Sequence, residues 1–397
     1  MPDRGRGCDE PVRSGSTRRA VIRQVLGALG AAATGLPVAI AAGDESDRLS
    51  DLGMPLAPEQ RAAGERFVAR HATVDVHCHP GRFFLRNLPY ETPTSRAFGA
   101  PFETRALEDL RAGHVSAALF AAVADMRLLE LTPEGIHAAR EFQPGEALAD
   151  YARQIATLKA LVATHAAARG LSPADVQAAA RGGRTAAVFA IEGGDFIEDR
   201  LERVHEAFRD GVRAITIVHY HVNQIGDIQT AEPVHHGLTP LGKSIVRELN
   251  GAGIVIDLAH ATFEVTRDVV ELSSRPVMVS HTNLVRPGVN HPRLVTAEHA
   301  KLVASAGGIV GSVPSGIGQT TFAEYIDSVL RLIDTVGIEH VAIGTDMDAN
   351  YRPILRNYRD WSLIPAALLA RGFDEAATAK VMGGNFLRVF ASVLARA

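Results

Sequence analysis

At 397 residues the chain is too long for one ordinary domain of about 100–200 residues, unless that domain is an α/β barrel. A 46% hydrophobic share beside 22% charged residues supplies a large core and excludes a disordered or fibrous protein. With 41 Lys and Arg against 45 Asp and Glu, the net charge of −4 leaves no nucleic-acid footprint, and two cysteines cannot build a disulfide scaffold.

The chain opens on an address. Residues 16–22 read Ser-Thr-Arg-Arg-Ala-Val-Ile, a twin-arginine pair ahead of a small-residue apolar stretch over 25–42 that ends in Ala39-Ile40-Ala41, an A-x-A cleavage pattern. Residues 1–42 are therefore expected to be a twin-arginine signal peptide, with an uncleaved anchor as the competing reading. The product would be periplasmic or secreted. Cleavage removes Cys8 and leaves Cys78 alone, so an intrachain disulfide is not expected. A polar linker follows over 43–57, and no later segment is apolar enough to span a bilayer.

From residue 58 to 397 short Val/Ile/Ala runs alternate with longer amphipathic stretches. The runs lie at 72–76, 115–123, 185–191, 212–218, 253–258, 276–280, 307–313 and 340–345. Several are continuous rather than alternating, which suits parallel strands buried on both faces. A long helix is expected over 146–168, in an excursion between the second and third runs. Thr239-Pro240 reads as a helix start and Thr321-Phe-Ala-Glu324 as a capping box, while Gly251 and Gly253 supply a stop. Eight β/α repeats argue for a (β/α)8 barrel of the TIM type, with an open doubly wound sheet as the rival.

The polar residues are in phase with these runs. The first leads into His77-Cys78-His79, and the third ends at Glu192, followed by Gly193-Gly194. The fourth leads to His219 and His221, the fifth to His260, the sixth to His281 and the eighth to Asp346 and Asp348. Each has an ordinary reading by itself: a surface His pair, a glycine turn, a satisfied core histidine. A common placement at strand ends has no such reading, because a barrel gathers those ends at one mouth. Imidazole and carboxylate donors suit Zn²⁺. Four histidines and one glutamate exceed one catalytic site and suit two ions sharing the carboxylate, with a water between them acidified to a pKa of about 7.

From about residue 72 onward the chain resembles the membrane (renal) dipeptidase family, zinc peptidases among the amidohydrolase-type barrels. The resemblance is carried by Ile-Glu192-Gly-Gly, by the stretch from Gly211 to His219, and by Gly237-Leu-Thr-Pro-Leu-Gly. Ile256-Asp-Leu-Ala-His260, Val279-Ser-His281, Ile343-Gly-Thr-Asp346-Met-Asp348 and Gly383-Gly-Asn-Phe-Leu-Arg-Val-Phe390 continue it. It implies that Glu192 bridges two zinc ions, that His77 binds the first, and that His260 and His281 bind the second. It further implies that His219 stabilises the oxyanion of the scissile carbonyl, Arg293 grips the substrate carboxylate, and Asp346 moves the proton to the leaving amine. The family usually has His-x-Asp on the first strand, where this chain has His77-Cys-His79. His79 is still read as a ligand, and Cys78 as a small buried hydrophobe on the opposite face. His221 stays open among substitute ligand, substrate contact and structural residue, and the Gly-Gly-Asn-Phe tail is read as packing.

The resemblance implies an exported dizinc dipeptidase acting on dipeptides, tolerant of a D-residue at the C-terminal side, in a family that often forms homodimers. The alternatives are an amidohydrolase or lactonase on a non-peptide small molecule, suggested by His79, and a non-catalytic metal-binding periplasmic protein. The same donors also accept other divalent ions, cobalt and manganese among them.

Overall fold

The computed structural model describes residues 52–133, 135–164 and 167–395. The leader expected over 1–42 and most of the 43–57 linker lie outside the described residues. Eight parallel strands follow one another around a barrel in chain order: β1 Val74–Cys78, β2 Ala117–Val123, β3 Ala186–Glu192, β4 Val212–Thr216, β5 Val255–Asp257, β6 Met278–Thr282, β7 Ile309–Ser312 and β8 Val341–Ile343. The expected (β/α)8 class is thus the observed one. Among the described residues no helix is long and apolar enough to cross a membrane.

Alternation along the strands sorts their side chains into two cores. Val74, Val76, Leu119, Val188, Val255, Met278 and Ile309 fill the lumen, while Phe120, Phe189, Ile215, Ile256, Val279 and Val310 face outward. The outward set packs beneath the helices, against Phe67, Leu110, Val246, Val269, Val303 and Val329. Phe386 and Phe390, on the C-terminal helix Asn385–Leu394, join the lumen cluster beside the strand starts. The Gly-Gly-Asn-Phe tail therefore closes the floor of the barrel, far from the polar strand ends.

Two local readings need correction. The helix expected over 146–168 ends at Ala163, and Ala168–Arg169 is instead a short strand beside the start of β3. The edge of β3 offers Thr185 O to Ala168 N–H and Ala187 O to Gly170 N–H, pairing that an alanine-rich sequence does not announce. The helix Pro240–Ala252 runs through Gly251, and only Gly253, at φ 80°, takes the left-handed conformation that stops it. The other signals lie where expected. Thr239 and Thr321 accept the N–H groups of Gly242 and Glu324, although the Glu324 carboxylate returns to Thr320 rather than to Thr321. A hairpin, Leu129–Thr132 with Gly135–Ala138, adds to the excursion after β2.

The seam where β8 meets β1 sets the phase of the site. Three steps along β1, from Asp75 to Cys78, oppose two along β2, from Ala118 to Phe120. This bulge adds one residue and reverses the alternation, so that Val76 faces the lumen and Cys78 the outer core. The Asp75 carboxylate, fully buried, accepts His77 N–H (3.1 Å), Thr345 N–H (2.9 Å), the Thr345 hydroxyl and the Tyr358 hydroxyl (2.7 Å). Asp346 N–H donates to His77 O at 2.8 Å, and Cys78 bridges in parallel to Met347. Asp75→Asn turns one acceptor into a donor facing donors. We expect it to destabilise the barrel by on the order of 2–3 kcal/mol, read as a fall in melting temperature. An unchanged melting temperature would show that the seam does not depend on this carboxylate.

Candidate metal centre

The ends of β1, β3, β4, β5, β6 and β8 carry polar residues to the same mouth. Beyond the bulge, His77 and His79 leave β1 toward the barrel axis. Glu192 is the last residue of β3, and the glycines after it let the neighbouring loops close in. A Cβ on Gly194 would lie 2.3 Å from Ile225, and Gly193 sits at φ 101°. His260 and Asp346, neither of them glycine, hold φ values of 67° and 55°. Such conformations persist where the surroundings over-determine them, here with His260 O accepting Gln229 N–H and Asp346 N–H bound to His77 O.

The result is one carboxylate ringed by imidazoles. Glu192 Oε1 lies 3.4 Å from His77 Nε2, 3.0 Å from His260 Nε2 and 3.5 Å from His281 Nε2. Glu192 Oε2 lies 3.4 Å from both His79 Nε2 and His219 Nε2. Asp346 Oδ1 stands 3.2 Å from His79 Nε2 and 4.0 Å from His77 Nε2. All of these side chains are buried except that of Asp346, which is 23% exposed and marks the open side. Arg293 reaches in from the loop after β6, with Nη2 3.0 Å from His281 Nε2 and Nη1 donating to Gln229 Oε1 at 2.9 Å.

The outward nitrogens fix how the rings are presented. His79 Nδ1 donates to Ala121 O at 2.7 Å, and His219 Nδ1 to Asp125 Oδ1 at 2.6 Å. The Ser280 hydroxyl lies 3.2 Å from His77 Nδ1 and 2.9 Å from His281 Nδ1. A histidine bonded through Nδ1 to an oxygen acceptor keeps Nε2 for the inward side, as a lone pair toward a cation or as an N–H toward an oxygen, the usual outer-shell pattern of metal-binding imidazoles. Pairs of inward nitrogens also face each other directly, His77 with His79 at 3.3 Å and His260 with His281 at 3.2 Å. Donor atoms of His77, His79 and Glu192 lie within 4.8 Å of one another, as do those of Glu192, His219 and His260, and those of His77, His281 and Asp346. The donor set fits divalent cations, and two of these groups share Glu192.

Charge sharpens this. Burial alone would raise the Glu192 carboxyl, but His219, His77 and His260 hold it well below the usual carboxylate range. Burial, helped by Arg293 and neighbouring imidazoles, keeps His260 and His281 neutral well below the ordinary histidine value. For His79 burial is outweighed by hydrogen bonds to Asp346 and Glu192, which push it up to about 10. Burial of His219 is likewise outweighed, by Asp125 and Glu192.

All eight residues singled out from the sequence (His77, His79, Glu192, His219, His260, His281, Arg293 and Asp346) meet at this mouth. His221 does not join them: its ring lies between Asp195 Oδ1 (2.6 Å) and Glu141 Oε2 (2.9 Å). Asp348 also turns away, accepting Gly81 N–H at 2.7 Å. Sequence reasoning missed Asp125, Gln229 and Ser280. Asp125 follows the end of β2 as the other polar residues follow theirs, and that placement was the available signal.

The model of the membrane dipeptidase family, peptidase family M19, matches residues 62–397. The chain is 30% identical over 257 residues to the dipeptidase verJ of Clonostachys rogersoniana, covering 62% of this chain and 66% of that protein. It is 29% identical over 228 residues to the dipeptidase tcpJ of Claviceps purpurea (strain 20.1), covering 55% of this chain and 53% of that protein. The chain thus spans about half to two thirds of the length of these curated relatives. Among solved structures, the fold is similar to the probable dipeptidase PvdM of Pseudomonas aeruginosa, with a TM-score of 0.71, 21% identity, and coverage of 86% of this chain and 100% of that one. It is also similar to a metallopeptidase of Rhodobacter sphaeroides liganded with a phosphinate mimic of the dipeptide L-Ala-D-Ala, with a TM-score of 0.66, 21% identity, and coverage of 81% and 99%. With a family model matched from the first barrel helix to the last residue, this chain belongs to the membrane dipeptidase family, peptidase family M19.

Proposed function

We propose that this chain is a dizinc dipeptidase. The observation that carries the reading is the convergence of five Nε2 atoms within 3.5 Å of the Glu192 carboxylate, beside a buried arginine and a partly exposed aspartate. His77, His79 and Glu192 would hold one ion, and Glu192, His260 and His281 the other. When bound, such ions acidify a water and polarise the scissile carbonyl. The remaining work belongs to the protein. Arg293 presents a planar fork to the substrate's terminal carboxylate, and its guanidinium lies so close to His281 that the carbonyl under attack is one residue away from that carboxylate. This favours dipeptides, and a D-residue at the C-terminal side is tolerated if the grip is on the carboxylate rather than the side chain. His219 Nε2 faces the carbonyl oxygen. Asp346, at the open edge, takes the proton of the nucleophile and delivers it to the amine, which cannot leave as its anion.

His79 favours a second reading, a lactonase or non-peptide amidohydrolase, because an imidazole in place of a carboxylate leaves the ion pair more positive. A panel of dipeptides and lactones, with metal content measured alongside, separates the two. The Arg18-Arg19 pair and the Ala39-Ile40-Ala41 pattern support export to the periplasm or beyond; detection of the chain only in the cytoplasmic fraction would refute it.

Three outcomes are expected. Protein purified without chelator should carry close to two ions per chain, and Glu192→Ala should lose both activity and most of the metal, since the cations then lack shared charge compensation. Full occupancy in that variant would exclude the bridging role. Arg293→Met should raise KM for dipeptides with a free carboxylate far more than for their amidated forms, and equal effects on both would assign the arginine to loop structure. Asp346→Asn should lower kcat by roughly 10²–10⁴-fold with metal retained. Activity restored by added zinc would make Asp346 a ligand instead.

A further inference from the structure

We propose that Asp125 is the positioning residue of His219, fixing which ring nitrogen faces the reacting carbonyl; the proposal rests on the metallodipeptidase reading above. Asp125 lies two residues beyond β2 and is fully buried. Its Oδ1 is 2.6 Å from His219 Nδ1, and its Oδ2 accepts Tyr220 N–H at 3.0 Å. One carboxylate thus holds both the ring of His219 and the backbone that follows it. That backbone needs an anchor, because β4 ends at Thr216 and the segment from 217 to 221 has no regular ladder.

The anchor is itself referenced to the centre of the site. Ala124 N–H donates to Glu192 O at 2.8 Å, so the residue before Asp125 is tied to the backbone of the carboxylate that His219 faces. The Tyr220 ring then packs on both His219 and His260, at centroid separations of 4.5 and 5.0 Å. Only Nδ1 can meet Asp125, and a carboxylate can only accept, so Nδ1 carries a proton. Nε2 is left toward Glu192 Oε2, 3.4 Å away.

Asparagine would separate the two duties. Its single carbonyl oxygen can keep the Tyr220 N–H, and its NH₂ then faces His219 Nδ1 as a donor. Nδ1–H then meets a donor, so the ring must turn away from residue 125 or give up that proton, and either way Nε2 no longer reaches the carbonyl oxygen as a donor held in place. A merely structural Asp125 would not act through His219 at all.

The test is a double-mutant cycle in the full, zinc-supplemented chain. Asp125→Asn is expected to lower kcat by about 10–100-fold, with KM changed by no more than about threefold. In a His219→Gln background the same substitution should cost less than about twofold, because the residue it acts through is gone. An equal loss in both backgrounds would overturn the proposal. A nitrogen-15 spectrum of the imidazoles gives a second, activity-free readout, with His219→Gln identifying the resonance. The wild-type ring should carry a proton on Nδ1, and a bare Nδ1 would overturn the proposal even if Asp125→Asn failed to fold. Absence of dipeptide hydrolysis by the wild type would refute the dipeptidase reading alone, since the spectrum still judges Asp125.

Discussion

Everything at the mouth of this barrel is arranged around one buried negative charge. A carboxylate taken out of water is costly unless paired, by several kcal/mol, and among the described residues no lysine pairs with Glu192. Five imidazoles drawn from β1, the segment after β4, β5 and β6 crowd around it, and His219, His77 and His260 stabilise its charge. Each must arrive with Nε2 foremost. The Ala121 carbonyl, the Asp125 carboxylate and the Ser280 hydroxyl stand behind four of those rings, and the fifth, His260, has no partner at Nδ1 among the described residues. Two left-handed residues and a glycine pair absorb the backbone adjustments that this convergence demands.

Much of this was legible in the sequence because a parallel barrel couples two simple patterns. Strands buried on both faces read as continuous apolar runs, and the residue that ends each run is delivered to a common place. His260, His281 and Asp346 were visible in that way without any knowledge of neighbours. The first strand shows the limit of the rule. Strict alternation from Val74 would have sent His77 and His79 outward with Asp75. They face the lumen because of one extra residue between Asp75 and Cys78. The same-side expectation for the pair was right, but the bulge that makes it so has no composition cue.

Asp125 was missed because an aspartate after a strand looks like an ordinary turn residue, and its partner is 94 positions away. Gln229 was missed for the same reason, its bond to Arg293 spanning 64 positions. The overrun of the 146–168 helix has a different origin. Its alanines satisfy helix propensity to the end, whereas the exposed ladder of β3 decides that Ala168 and Arg169 pair as a strand. His221 stayed open among three roles in the sequence, and its contacts with Asp195 and Glu141 set it apart from His219.

The seam between β8 and β1 has a consequence in time. Asp75 meets Thr345 across 270 positions, so the first strand is made long before its partner exists. At about 5–20 residues per second of synthesis, that interval is roughly 15–50 s. Throughout it, β1 can be no more than an edge, and its two histidines face no Asp346. The five residues read as ligands are all made by residue 281, but Asp346 joins them at the mouth only once the ring has shut. The open, acidic edge of the mouth is thus the last part of the centre to be put in place by the topology.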